Sequence, residues 1–152
     1  MRASISACVE AGALLAIGGC VPAPHMNTIA PEISGRIFAG QAPVANTTVH
    51  YRYKAPWEDG ECLEPDTTVV TDRTGAFLFP EVREFRFFTF FGEPIYIYEI
   101  CVDYDGGKSF LWRDISTHYV ETPIELSCDM NRAIVSDRIR SRGRCEATWP
   151  TE

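Results

Sequence analysis

The chain is 152 residues long, 45% hydrophobic and 23% charged, with a formal net charge of -7 and six cysteines. That length supports one domain with a core of its own rather than two, and the acidic balance excludes a general binder of nucleic acid or of anionic lipid. The charge is uneven: Glu58, Asp59, Glu61, Glu64 and Asp66 crowd one segment, and Arg138, Arg140, Arg142 and Arg144 crowd another near the C-terminus.

In chain order, Arg2 and the α-amine come first, then an apolar run from Ala11 to Ile17, too short to span a bilayer of roughly 30 Å. Glu10 interrupts the approach to that run, which closes in Leu15-Ala16-Ile17-Gly18-Gly19-Cys20. This stretch resembles the lipobox of bacterial lipoproteins. The resemblance implies that residues 1–19 are a cleaved signal peptide and that Cys20, the first mature residue, carries a diacylglyceryl thioether and an N-acyl chain. Several acyl chains, at about 0.8 kcal/mol per buried methylene, anchor a protein durably where one does not. Val21 stands where an inner-membrane retention Asp is often found, so the resemblance places the chain in the bacterial cell envelope, at the outer membrane. The plainer alternative is an ordinary secretory leader with Cys20 as a pairing thiol.

With Cys8 lost in the leader and Cys20 lipidated, Cys62, Cys101, Cys128 and Cys145 remain. Four thiols in an exported domain imply two disulfides, with three pairings open. No C-x-x-C or close Cys/His pair nucleates a zinc site, so neither metal nor cofactor is expected.

Residues 20–32, with Pro22, Pro24 and Pro31, read as an extended tether. The domain is expected over 33–128, followed by a C-terminal extension over 129–152. Ile33, Gly35, Ile37 and Ala39 alternate with Ser34, Arg36 and Phe38, and Gly40-Gln41-Ala42-Pro43 supplies a turn. Thr47, Val49, Tyr51 and Tyr53 then alternate with Thr48, His50, Arg52 and Lys54, a strand with one face buried and His50 on the polar side. Thr67–Thr71, the turn Asp72-Arg73-Thr74-Gly75, and Phe77 with Phe79 predict a hairpin. Tyr96, Tyr98, Ile100, Val102 and Tyr104 keep period two with Glu99, Cys101 and Asp103 opposite, before Asp105-Gly106-Gly107 turns the chain back into Phe110–Ile115. Ile124–Cys128 is the last expected strand; Ile134, Val135 and Ile139 leave the tail undecided between helix and strand.

Period-two patterning with no long 3.6-residue segment predicts an all-β antiparallel sandwich of about seven strands, its short C-terminal tail tied by a disulfide. Gly35-Arg36-Ile37-Phe38, Pro43-Val44 leading to Thr48-Val49, and Thr71-Asp72-Arg73-Thr74-Gly75-Ala76-Phe77-Leu78-Phe79 resemble the carboxypeptidase regulatory-like domain, a transthyretin-like β-sandwich. The likeness runs from about Ile33 to Tyr104. It implies architecture and an accessory or binding role more than an activity. The acidic loop around Cys62 and the Cys-bearing tail depart from that pattern.

No familiar catalytic motif is complete in the sequence. Gly106-Gly107-Lys108-Ser109 ends like a P-loop, but Phe110-Leu111-Trp112 reads as strand where a helix is required. Asp103 and Asp105 lack EF-hand spacing. The chain has no G-x-S-x-G or H-E-x-x-H, no C-terminal Tyr-Arg-Gly-Ser of a hydroxyisourate hydrolase, and no closely spaced His pair of an intradiol dioxygenase. An enzyme would have to bring His50 or His118 together with carboxylates or tyrosines.

The expectation is a noncatalytic envelope lipoprotein that meets the membrane through its anchor and binds a protein or glycan partner. Phe85, Phe87, Phe88, Phe90 and Phe91 put aromatics on both faces of one strand, so Phe85, Phe88 and Phe90 are candidate partner residues unless the core and tail bury them. Arg138, Arg140 and Arg142 would add a basic row if extended. An inhibitor or immunity-type lipoprotein would instead present a protruding, disulfide-pinned loop over 57–66.

Overall fold

The computed structural model describes residues 20–54, 60–90, 95–116, 123–136 and 141–149, with backbone alone at 20–23, 88–90, 116 and 141. All thirteen regular elements among them are strands: β1 (Cys20–Ala30), β2 (Ile33–Ala39), β3 (Ala42–Pro43), β4 (Thr48–Arg52), β5 (Thr67–Val70), β6 (Ala76–Phe79), β7 (Val82–Phe90), β8 (Tyr96–Tyr104), β9 (Gly107–Ser116), β10 (Ile124–Asp129), β11 (Val135–Ser136), β12 (Ser141–Gly143) and β13 (Cys145–Thr148). The count passes the expected seven because the ribbon over residues 20–30 and the tail over 135–148 also pair.

Two sheets form the sandwich. One runs β13-β10-β2-β3 with β6 also on β2, and the other runs β11-β12-β9-β8-β4-β5. Both send side chains into one core: Ile33, Ile37, Phe77, Phe79, Ile124 and Leu126 from the first, and Val49, Tyr51, Ile100, Val102, Leu111 and Trp112 from the second. Tyr51 lies at the centre, its ring 5.0 Å from Phe79 and 6.4 Å from Tyr98. Its hydroxyl is buried without a hydrogen bond, and burial pushes its pKa up.

Pairing is antiparallel except where β10 lies parallel to β2, Ile124 opposite Ile33 and Cys128 opposite Ile37. A parallel neighbour needs a crossover, and the chain from β3 to β9 supplies one by way of the other sheet. Gly35 lets the two backbones close up: a Cβ there would lie 2.6 Å from the Leu126 carbonyl oxygen and 2.8 Å from the Phe77 ring.

The Asp72–Gly75 turn forms, but the hairpin expected around it does not. β5 pairs with β4 in one sheet and β6 pairs with β2 in the other, so the turn is a corner between layers. Asp72 Oδ1 accepts from Thr74 N at 2.7 Å, Thr74 Oγ1 at 2.7 Å and Ala76 N at 3.0 Å. These donors hold the Asp72 carboxyl below the usual range, the Thr74 hydroxyl most of all, then the Ala76 and Thr74 amides. The corner then docks on β2 between β3 and β6, with Ile37 N donating to Gly75 O at 3.0 Å and Gly75 at φ 76°. A Cβ on Gly75 would sit 2.5 Å from the Ile37 carbonyl oxygen. Docking on β2 draws β6 away from β5.

The expected β8–β9 hairpin is present. Its turn takes positive φ at both Asp105 (52°) and Gly106 (79°), the pattern of a two-residue turn matched to strand twist. The tail is extended where it is described: β12 joins β9 in one sheet and β13 joins β10 in the other.

Candidate functional site

The four candidate cysteines pair as Cys62–Cys101 and Cys128–Cys145. The second bridge lies directly across the β10–β13 ladder and fastens the tail. The first fastens a loop.

That loop, Gly60–Asp66, lies on the outer face of the six-stranded sheet. Asp66 Oδ2 accepts from Tyr53 N and Lys54 N at 2.7 and 2.8 Å, and Asp66 N donates to Tyr51 O at 2.9 Å. Beneath the loop Glu99 is 2% exposed. Its Oε1 accepts from Cys62 N at 3.0 Å and lies 3.4 Å from Arg52 Nε; its Oε2 accepts from Arg113 Nε at 2.9 Å and also from Arg113 Nη2. Arg113 Nη2 donates onward to Gly60 O at 2.5 Å. At the margin Arg142 Nη1 meets Glu61 Oε1 at 2.9 Å, and the Arg113 and Arg142 guanidiniums stack over Phe110 at 5.7 and 5.5 Å.

Arg52 and Glu99 fall on the polar sides of their strands, yet both are buried, because the disulfide holds the loop over them. Arg142 is thus part of an ion pair. The described part of the 57–66 loop is tied to the sheet at Gly60, Cys62 and Asp66, with Glu61, Leu63 and Glu64 exposed; residues 57–59, Arg138 and Arg140 lie outside the described residues.

His50 meets Asp103 on the same sheet face, Nε2 to Oδ1 at 2.7 Å, while its Nδ1 is buried without a hydrogen bond. His118 lies outside the described residues. Among the described residues no group of three or more His, Cys, Asp or Glu side chains is placed to hold a metal. An open hollow of about 310 Å³ covers the β8–β9 turn, lined by Asp103–Lys108.

The arm formed by β1 and β7 is a separate two-stranded sheet. Residues 20–30 are extended, as a tether would be, but they pair along β7: Cys20 opposite Phe90, Pro22 opposite Phe88, His25 opposite Arg86, Met26 opposite Phe85 and Ala30 opposite Val82. The aromatic, proline-free β7 strand gives the backbone of β1 a ladder to join. Ile29 is buried and Ala30 enters the core at the base, while farther out Met26 is 59%, Phe85 64% and Phe87 52% exposed. Phe85 and Phe87 share a face by period two, and Met26 lies across from Phe85. The described strands of the tail lie on the two sheets, β12 on β9 and β13 on β10. The side chains of Phe88 and Phe90, the other aromatic candidates, lie outside the described residues.

Fold and surfaces together define an all-β, doubly disulfide-bonded sandwich with a separate two-stranded arm that exposes apolar side chains. The chain belongs to the family described as Domain of unknown function (DUF6795), whose model matches residues 33–133. No curated protein and no solved structure matches it. The matched span includes β7 and the Cys62–Cys101 strap but not β1.

Proposed function

We propose that this chain is an exported, lipid-anchored, noncatalytic binding module of the bacterial envelope, acylated at Cys20 after loss of residues 1–19, whose arm meets a protein or glycan partner. The observation that carries this reading is the outward face of Met26, Phe85 and Phe87, because a soluble domain gains nothing from three large apolar side chains set together in water unless something covers them. The lipobox-like stretch at 15–20 supports the anchor, and four paired cysteines suit an oxidising compartment. Similarity to carboxypeptidase regulatory-like domains supports an accessory role. Intact-mass measurement of native material tests the anchor: an acylated chain starting at Cys20 is expected, and an unacylated chain keeping residues 1–19 overturns it. Crosslinking in the intact envelope tests the binding role, with a partner joined through the arm as the expected result and turnover of a small molecule without any partner as the contrary one.

A further inference from the structure

Among the described residues β7 has β1 on one edge and no strand on the other. The two outer edges of the arm differ. β1 carries Pro22 and Pro24, which lack an N–H and blunt an edge, with Pro24 in the register shift between Pro22 and His25. β7, Val82-Arg83-Glu84-Phe85-Arg86-Phe87-Phe88-Thr89-Phe90, has neither proline nor glycine. A two-stranded ribbon is marginal in water, and a third strand along an open edge is the general remedy.

We propose that this edge is filled by β7 of a second copy of the chain, antiparallel about a twofold axis, giving a four-stranded sheet in the order β1-β7-β7-β1. The charge pattern selects the register. A twofold axis through the sheet makes one residue face its own copy. Centring on Glu84 sets two carboxylates opposite each other, and centring on Arg83 or Arg86 sets two guanidiniums opposite each other. Centring on Phe87 sets Glu84 opposite Phe90 and Arg86 opposite Phe88, so no pair of opposite charges forms across the axis. Centring on Phe85 places Glu84 opposite Arg86 of the second copy twice over, and Arg83 opposite Phe87. It also aligns Met26, Phe85, Phe85 and Met26 in one apolar row across four strands, since Met26 already faces Phe85 within the arm. Glu84 lies 3.3 Å from Lys54 in an exposed pair, and Arg86 is exposed, so both can be reached. The contact is self-complementary and closed, so it stops at two copies.

This inference rests on the binding-module reading and names that module's partner. The two fail separately: native material without lipid would remove the anchor and leave the dimer, and a monomeric chain would remove the dimer and leave the anchor. The test uses the full chain carrying Cys20→Ser, sedimented over a concentration series. A reversible dimer is expected, weakened at least tenfold by E84R or by R86E alone and restored when both are present, because the double reversal rebuilds each pair with its sign exchanged. Independently, F85C is expected to form a disulfide-linked dimer on oxidation, whereas R83C, whose copies would lie far apart, is not. A monomer at every concentration, a dimer indifferent to both reversals, or a monomer that binds phospholipid vesicles through Phe85 would overturn the proposal.

Discussion

On the outer face of the six-stranded sheet, Arg52, Glu99 and Arg113 are charged residues held under a loop, while on the arm Met26, Phe85 and Phe87 are apolar residues held in water. The first surface is closed by covalent and ionic ties within the chain. On the second, Met26, Phe85 and Phe87 stand more than half exposed. A strapped ionic cluster is worth its desolvation only while every partner stays in place, so that face is built to stay shut. An apolar face costs the folded monomer little and becomes favourable only when covered, so the arm is the surface on which the proposed partner would act.

Breaking the closed face should therefore cost stability, and altering the open one should cost association alone. The largest effect is expected from Glu99→Ala, which leaves the Arg52 and Arg113 guanidiniums without their shared carboxylate; loss of one partner of a buried pair costs about 3 to 5 kcal/mol, read by urea unfolding. Replacing Cys62 and Cys101 by serine opens a loop of 39 residues and should cost about 4 kcal/mol on the chain-entropy estimate. The same change at Cys128 and Cys145, a loop of 17 residues, should cost about 3 kcal/mol. Replacing Cys62 and Cys101 should also loosen Glu61–Arg142, seen as faster amide exchange at position 62.

A pH titration of the melting temperature separates the ties further. The Asp72 and Asp129 carboxyls are both held below the usual range, Asp72 chiefly by the Thr74 hydroxyl and Asp129 by the Asn131 and Gly40 amides. A depressed folded pKa gives stability that is present above the unfolded value of about 4 and lost as pH falls through the folded one. Asp72→Asn with Asp129→Asn should lower the melting temperature at pH 7 and flatten its fall below about pH 4. The smallest effect belongs to the arm: Phe85→Ser should shift unfolding by no more than about 0.5 kcal/mol, as exposed sites do, while weakening self-association in sedimentation.

Much of this architecture can be read in the residues. Alternation along Thr47–Lys54 and Tyr96–Tyr104 marks β4 and β8, and Asp105-Gly106 marks their neighbour's turn, because period two and positive φ are local properties. Which strand a turn serves is not local. Asp72–Gly75 reverses the chain equally well for a hairpin or a corner, and the choice is made by the docking of Gly75 on β2, 38 residues from it in the case of Ile37. Burial of Arg52 and Glu99 was hidden for a related reason: the polar side of a strand gives no sign that a loop bound through Cys62 will close over it. The tail strands are two to four residues long, too short for a period to register. The aromatic density at 85–91 raises the question of exposure without settling it, and the ribbon in which Phe85 and Phe87 stand exposed joins β1 to β7, segments some sixty residues apart.

The contrast between the two faces can be tested in place by putting a photocrosslinking residue at Phe85 or at Glu64 of the full-length chain in intact cells. The account predicts adducts from position 85, a second copy of the chain among them, and none from position 64. Adducts from 64 with none from 85 would contradict it.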